Sequence, residues 1–424
     1  MPFGYMGKIA WVDLSKGEVK AEDLDEALAR KYLGGKGLGA HLLYENMKPD
    51  VDPFAPENLL IFMTGPLTGT TFPAASRSAV ITRSPLTGTF LDTYSGGSFG
   101  SKFKYAGYDA VVIKGKAEGP VYLKIDRGKI EIEDATGLWG LSTTETEERL
   151  AAGLQRSQGE KVGVASIGPS GEKRVRFACI IAERRAFGRG GAGAVMGSKN
   201  LKAILVRGDE RPRMADEKTF KKVEKRCRQQ IAEHPMTGKK GVFPRVGTMM
   251  TVDLTYALSD RGGCHMRSNT IRTELLGLPE PIDRYGYEGK AEMVRELQLV
   301  YSTFDCLGAC AFGAFGIRPE DYAEAVSAIT GWSFSVAELR TAAERAWNLS
   351  RLFNSREGFS RKEDTLPARL FEEASTKGTS KGQIVDREAF NNMLDGYYGL
   401  VGWDKNTGIP KENKLSELGI EIKS

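Results

Sequence analysis

Cysteine and histidine are scarce in this chain, with five cysteines and three histidines in 424 residues. So thin a cysteine supply excludes a disulfide-built scaffold. It leaves reduced thiols in a reducing compartment as the default, with metal binding or redox chemistry as the work open to them. Long apolar runs are also missing: no window approaches the uninterrupted length a membrane helix needs, so no membrane association is expected. The opening Met1-Pro2-Phe3-Gly4-Tyr5-Met6-Gly7-Lys8 has no apolar signal core, and the expected compartment is the cytoplasm. Charge of one sign is lacking too. The 60 basic and 55 acidic residues are mixed along the chain, which argues against a dedicated nucleic-acid surface. One local cluster, Lys221, Lys222, Lys225, Arg226 and Arg228, lies in helix-like sequence; it reads either as a solvated helix face or as a docking site for an acidic electron-transfer partner.

What the chain has in excess is glycine: 50 residues, well above the usage of about 7% typical of proteins. The glycines fall in discrete loops, where tight turns or close approach of backbone to a ligand require them. With 41% hydrophobic residues the chain can bury a large core and divides at typical domain sizes into two or three domains.

The first half reads as β-rich. Lys8 to Leu14 followed by Glu18 to Lys20 has a hairpin pattern, as does Val121 to Ile125 turning through Asp126-Arg127-Gly128 into Lys129 to Glu133, with apolar residues alternating on both arms of the second. Further strands are expected at Leu59 to Met63, Ala79 to Thr82, Ala110 to Ile113, Val162 to Ile167, Phe177 to Ile181 and Ala203 to Val206, with helices near Leu24 to Leu33 and Thr143 to Leu154. After Gly208 the character changes: Glu210-Arg211-Pro212-Arg213 reads as a linker into a charged helix from Asp216 to about Glu233. The rest is mostly helical, with Ser335-Val336-Ala337-Glu338 in capping-box form. The expected fold class is α+β, a two-sheet β-rich N-terminal domain followed by a mainly helical C-terminal region.

Four glycine segments are too specialised for ordinary turns: Gly65-Pro66-Leu67-Thr68-Gly69, Ser95-Gly96-Gly97-Ser98-Phe99-Gly100, Gly168-Pro169-Ser170-Gly171-Glu172, and the run from Arg189 to Lys199. Without a Cβ, consecutive N–H groups can converge on phosphate oxygens, and Arg77, Arg185 and Arg189 lie near enough in sequence to pair with the same group. The competing reading is that these glycines only make tight turns. None fits an NTPase phosphate loop or a dinucleotide fold. In the second half, Asp305-Cys306-Leu307-Gly308-Ala309-Cys310 sets a carboxylate beside two thiols, and Arg261-Gly262-Gly263-Cys264-His265-Met266-Arg267 holds a histidine in company suited to proton transfer. His41 and His234 read as structural or surface residues.

Gly65 to Gly69, Ser84-Pro85-Leu86-Thr87-Gly88, Ser95-Gly96-Gly97, Ala106 to Ala110, Ala165 to Pro169 and Gly188 to Lys202 come in the order and spacing of one known domain. Over roughly residues 4 to 208 the chain resembles the N-terminal domain of the aldehyde:ferredoxin oxidoreductase family. That resemblance implies two β-sheets forming a base for two pterins whose dithiolene sulfurs hold tungsten or molybdenum. It places Arg77, Ser95, Gly96, Arg185, Ala186 and Gly188 near pterin or its phosphates. Tyr94 stands where the family example carries Asn, a residue that helps hold a magnesium ion between the phosphates, which leaves the magnesium bridge in doubt. Further on, Tyr256-Ala257, Asp260 to His265 and Asp305-x-x-Gly308-x-Cys310 also follow the family. By resemblance Asp305, with Gly308, contacts pterin, Cys310 is one ligand of a [4Fe–4S] cluster, and His265 acts with substrate near the metal.

Between the two matching regions a large block is missing, with the join near Asp253. The family's Cys-x-x-Cys-x-x-x-Cys motif, its acidic residue beside the metal and its first Asp-x-x-Gly-Leu-Asp pterin motif go with it, so three cluster ligands are lost. The expected divisions are 1–208, a pterin-binding domain; 209–253, a remnant of the middle helical domain; and 254–424, a C-terminal helical domain. The resemblance implies oxidation of an aldehyde to a carboxylic acid at a tungstopterin or molybdopterin centre, with electrons passed to ferredoxin or a similar carrier, and it admits a homodimer. Another substrate of the same family, such as an aromatic thioester, is a related reading. The alternative is a catalytically impaired or inactive paralogue, or a truncated form, acting as a cofactor-binding or assembly subunit.

Overall fold

The computed structural model describes residues 2–154, 162–234, 253–262, 282–283, 285–377 and 380–422. Two compact units emerge, one made of Met1–Val242 with Thr303–Ala346 and the other of Phe243–Ser302 with Trp347–Ser424. His265 and Cys264 lie outside the described residues, as does the family-like Val246-Gly247-Thr248 run just before the join.

Twelve strands of the first unit form two six-stranded sheets. The strands are β1 (Lys8–Asp13), β2 (Glu18–Asp23), β3 (Leu60–Met63), β4 (Ser78–Arg83), β5 (Phe90–Ser95), β6 (Ala110–Lys114), β7 (Val121–Asp126), β8 (Lys129–Asp134), β9 (Val162–Ser166), β10 (Ile180–Ala182), β11 (Arg185–Phe187) and β12 (Leu201–Arg207). One sheet runs β2-β1-β6-β3-β4-β5 and the other β11-β10-β9-β12-β7-β8. Both expected hairpins form: Val12 faces Val19, and Asp126 faces Lys129 across Arg127-Gly128. Both residues of that second turn have positive φ, at 47° and 85°, the geometry that matches strand twist.

Alternation along the strands sends one face of each sheet into a single shared core. Val12, Phe62, Val80, Leu91 and Val111 from the first sheet meet Leu123, Ile125, Ala165, Ile204 and Phe187 from the second. The Phe62 ring lies edge-on to Phe187 at 5.9 Å. Helix α1 (Glu26–Tyr32) leads into α2 (Gly35–Asn46), which packs on β4. Gly39 of α2 has room for no Cβ, since one would lie 2.5 Å from Ile81 Cδ1. Helix α3 (Phe99–Tyr105) lends Phe99 and Phe103 to the shared core. Helix α4 (Thr143–Leu154) places Leu150 on the outer face of the second sheet with Val164, Ala203 and Leu205.

The structure differs from expectation in several places. The stretch Phe177 to Ile181 yields a strand only from Ile180 to Ala182; Phe177 is 68% exposed, outside the shared core. The strand β5 and helix α2 were not foreseen, and the Arg189–Lys199 run, expected as a loop, contains α6 (Ala192–Ser198) after the short α5 (Pro169–Glu172).

Helix α7 (Glu217–Glu233) begins at an Asp216 cap whose side chain accepts from Thr219 N. It buries Phe220, Val223 and Cys227. After α8 (Asp253–Ala257) and α9 (Lys290–Leu307) come α10 (Pro319–Thr330) and α11 (Val336–Arg356). The Ser335 capping box forms, with Ser335 N donating to Glu338 Oε2 at 2.8 Å and Glu338 N donating to Ser335 Oγ at 3.2 Å. The second unit has its own core of Leu254, Leu258, Val294, Trp347, Phe390, Leu394, Tyr397 and Trp403. Its polar atoms are chained: Trp347 Nε1 donates to Tyr397 Oη at 3.0 Å, which donates to Gln298 Oε1 at 2.6 Å. Among the described residues no helix is long and apolar enough to cross a membrane.

Candidate functional site

The glycine loops do two different jobs. Three are packing devices. In the Gly65–Gly69 loop a Cβ on Gly65 would lie 2.3 Å from the carbonyl carbon of Leu307, and one on Gly308, which has φ of +73°, would lie 2.1 Å from Thr68 Oγ1. The turn that carries Asp305, Gly308 and Cys310 is therefore seated directly on the N-terminal domain. Leu67 N donates to Leu307 O at 3.2 Å, Arg77 N to Gly308 O at 3.0 Å, and Cys310 N to Ala74 O at 2.7 Å. The start of α2 closes the other side, where a Cβ on Gly35 would sit 1.8 Å from Asp305 O. The Gly168–Glu172 and Arg189–Lys199 segments pack against each other. Gly197 admits no Cβ because Gly171 O would lie 1.9 Å away, and Gly193 none because of Cys179 O at 2.3 Å. In these loops the glycines allow close contact between backbones.

The Ser95–Gly100 segment is different. A Cβ on Gly96 would meet nothing within 4 Å. Ser95 pairs across the ladder with Ser78, so Arg77 enters β4 beside this open backbone. On its other flank, the stem of Arg185 comes within 3.3 Å of the Cβ position of Gly97. Arg77 is half-buried and Arg185 exposed, and among the described residues neither guanidinium has a hydrogen bond or ion pair. Ser78 Oγ is buried beside Gly100 and also lacks a partner.

The turn that presents Arg185 is held under tension. Glu183 and Arg184, between β10 and β11, both adopt left-handed backbone with φ of 50° and 63°, a conformation costing roughly 1–2 kcal/mol per non-glycine residue. Glu183 is pinned by Ser98 N at 3.0 Å, by Ser98 Oγ and by an ion pair with Lys102, which holds its carboxyl below the usual range despite partial burial. Ala186 on β11 and Gly188 just after it are exposed, and Arg189 N donates to Thr93 Oγ1 of β5 at 3.1 Å. The structure thus brings Arg77, Ser95, Gly96 and Arg185 to one stretch of backbone, with Ala186 and Gly188 beside Arg185 and Gly308 tied to Arg77.

This donor set suits an anionic, phosphate-bearing group: an open glycine backbone, two uncompensated guanidinium groups and an orphaned hydroxyl. A four-iron cluster is a poorer match to the described cysteines. Cys306 is fully buried, with its Sγ 3.1 Å from the Cβ position of Gly37, and burial pushes its thiol up to about 12. Cys227 lies inside α7, also pushed up by burial to about 12. Cys179 stands next to β10, its thiol raised by burial, and only Cys310 occupies a half-buried turn in the Asp305 motif. Among the described residues no group of three His, Cys, Asp or Glu side chains converges to hold a metal ion. Tyr94 directs its hydroxyl to Asp92 Oδ2 at 2.9 Å, and Asp92 sits with Lys36 at 3.9 Å in a fully buried pair.

Sequence reasoning missed the supports beneath the site. Lys104 is buried and donates to Gly4 O at 2.8 Å and Gly65 O at 2.7 Å. Desolvation lowers it to about 8. Asp109 accepts from Met6 N and Gly7 N at 3.2 and 2.7 Å. Only the conjunction of a lysine and an aspartate within an apolar neighbourhood could have signalled them. In the second unit, Asn354 Nδ2 donates to Asp260 O at 2.7 Å.

Family models match nearly the whole chain, with the aldehyde ferredoxin oxidoreductase N-terminal domain over residues 9–208 and domains 2 and 3 over residues 218–420. The chain belongs to the aldehyde ferredoxin oxidoreductase family. It is 32% identical to the tungsten-containing aldehyde ferredoxin oxidoreductase of Pyrococcus abyssi, with 99% of each chain covered. That alignment is 613 positions long against 424 residues here, so the relative carries a long stretch this family member lacks. The aliphatic sulfonate oxidoreductase, WOR-like subunit, of Pyrococcus furiosus is 38% identical over 49% of this chain and 35% of its own. In fold the chain is similar to one from the active site complex BamBC of benzoyl coenzyme A reductase, solved with 1,5 dienoyl-CoA. The TM-score is 0.81 at 20% identity, over 99% of this chain and 98% of the other. As a family member the chain is an oxidoreductase-like enzyme.

Proposed function

We propose that this family member oxidises an aldehyde to a carboxylic acid at a tungsten, or molybdenum, bis-pterin centre and passes the electrons to ferredoxin. The observation that carries the reading is the open Gly96 backbone flanked by the unpaired Arg77 and Arg185. When bound, the metal pterin supplies oxygen transfer and takes up electrons. The chain's own residues bind and orient. Arg77 and Arg185 neutralise pterin phosphate, Ser95 and Gly96 admit it, Ala186 and Gly188 continue the wall, and Asp305 with Gly308 presents a carboxylate and a turn to the pterin edge. His265 accepts the proton released as water adds to the aldehyde. Aldehyde plus water yields acid, two protons and two electrons, so one turnover fills two one-electron carriers. No step is routed through a [4Fe–4S] cluster, because the described cysteines do not gather for one; Cys310 keeps the family position of a single ligand.

Aldehyde-dependent reduction of a viologen dye by protein loaded with tungsten or molybdenum tests the reading. Turnover is expected. Loaded protein that leaves every aldehyde unchanged contradicts it and favours a second reading, a cofactor-binding or assembly subunit, which the long stretch missing relative to the Pyrococcus enzymes supports.

A further inference from the structure

The outer face of α7 is not used by the fold. The helix buries Phe220, Val223 and Cys227, three and seven residues apart and so on one face. On the flanks, Lys221 pairs with Glu217 at 2.6 Å and Arg228 with Glu224 at 2.9 Å, while Arg226 reaches Asp321 and Glu324 of α10. Lys218, Lys222 and Lys225 remain. All three are exposed, and among the described residues none of the three ammonium groups makes a hydrogen bond or ion pair. Their spacing of four and seven residues aligns the ammonium groups along one edge of the helix. Three like charges on adjacent turns repel; Asp216 attracts Lys218, while Lys222 and Lys225 make no ion pair among the described residues.

A second observation ties this face to the candidate site. Arg228 Nη2 donates to Thr71 O at 2.6 Å, and Thr71 Oγ1 donates to Glu224 Oε2 at 2.8 Å. A few residues on, Ala74 O accepts from Cys310 N. Two residues beyond Cys310, Phe312 is 59% exposed. The loop from Thr71 to Ala74 therefore has the basic helix on one side and an exposed aromatic beside the Asp305–Cys310 motif on the other. An aromatic with a cationic rim is the anatomy of a short-lived charged interface.

We infer that the Lys218–Lys222–Lys225 edge of α7, with Phe312, is the docking surface for a small acidic electron-carrier protein. The inference rests on the proposed function for the identity of the carrier, and charge complementarity selects it: a carrier with surplus carboxylates meets three exposed cations on a helix tied through the Thr71–Ala74 loop to the Cys310 turn. Binding of this kind is fast and weakens with salt.

The test uses the full chain and a purified acidic ferredoxin. Binding is titrated at about 50 mM and about 300 mM salt, in parallel with aldehyde-dependent viologen reduction. The wild type should bind more weakly at the higher salt. The Lys218→Glu, Lys222→Glu, Lys225→Glu variant should lose at least about tenfold in affinity, with dye reduction and melting temperature unchanged; the matching triple Gln variant should fall between. Unchanged ferredoxin affinity in the Glu variant overturns the docking surface, as does tighter wild-type binding to duplex DNA than to ferredoxin. Dye reduction absent from both proteins while ferredoxin binding still follows the lysines would count against the proposed oxidation and leave the docking surface standing.

Discussion

At the scale of single residues, the distinction that matters is between glycines that let backbones touch and a glycine that faces open space. Gly65, Gly193, Gly197 and Gly308 each exclude a Cβ by contact with other backbone or with Thr68, so a side chain there costs packing. Gly96 excludes nothing. A Gly96→Val variant should hold its melting temperature to within about 2 °C, while its tungsten or molybdenum content falls several-fold because the branched side chain fills the space between Arg77 and Arg185. A large fall in melting temperature would make Gly96 structural. The sequence could not separate these classes, because all four loops read alike until their neighbours were known. The likeness to a pterin-binding domain singled out Arg77, Ser95, Gly96 and Arg185, and the structure gathers these four. The buried supports Lys104 and Asp109 were not read as such, since a lone charged residue in apolar sequence reads as a surface position.

At the scale of elements, alternation was the dependable signal. The hairpins β1–β2 and β7–β8 were legible because their two-residue period and turn residues agree. Helices α2 and α6 were not, because each is laced with glycine, a poor helix former. The glycines are there for contact with Asp305 O and Gly171 O, a tertiary demand that overrides propensity. The β10–β11 turn gives a prediction of its own. Arg184 has φ of 63°, and its side chain is exposed, attracted through space to Glu147 but making no hydrogen bond or ion pair among the described residues. Arg184→Gly should therefore stabilise by about 1 kcal/mol in a denaturant titration; a loss would show that the arginine side chain is held.

Buried lysines set a pH response at the same scale. Lys199 donates to Pro56 O at 2.9 Å and Gly115 O at 3.2 Å, and desolvation lowers it to about 7. Below that value both folded and unfolded chains carry the proton. Between about 7 and the ordinary lysine value of 10.5, the unfolded chain binds the proton and the folded one does not, so stability rises with pH through this window. Denaturant titrations at about pH 7 and about pH 9.5 should show a gain on the order of 2 kcal/mol in the wild type and a smaller one in Lys199→Met. Equal gains would assign the rise elsewhere.

For the whole molecule, the α+β class and the family were legible from the order of motifs, since a spaced series of specialised loops is hard to produce by chance. What the family's missing block does to activity was not legible. The Pyrococcus abyssi relative carries a long stretch that this chain lacks, and His265 lies outside the described residues. The claim on which the rest depends is that the first unit holds a metal pterin between Arg77, Gly96 and Arg185. The most direct test is elemental analysis of protein produced with tungstate and molybdate, for the wild type and an Arg77→Ala, Arg185→Ala variant. About one tungsten or molybdenum per chain in the wild type, lost from the folded variant, is the predicted result. A folded wild type with no such metal, or a variant that retains it in full, would contradict the account.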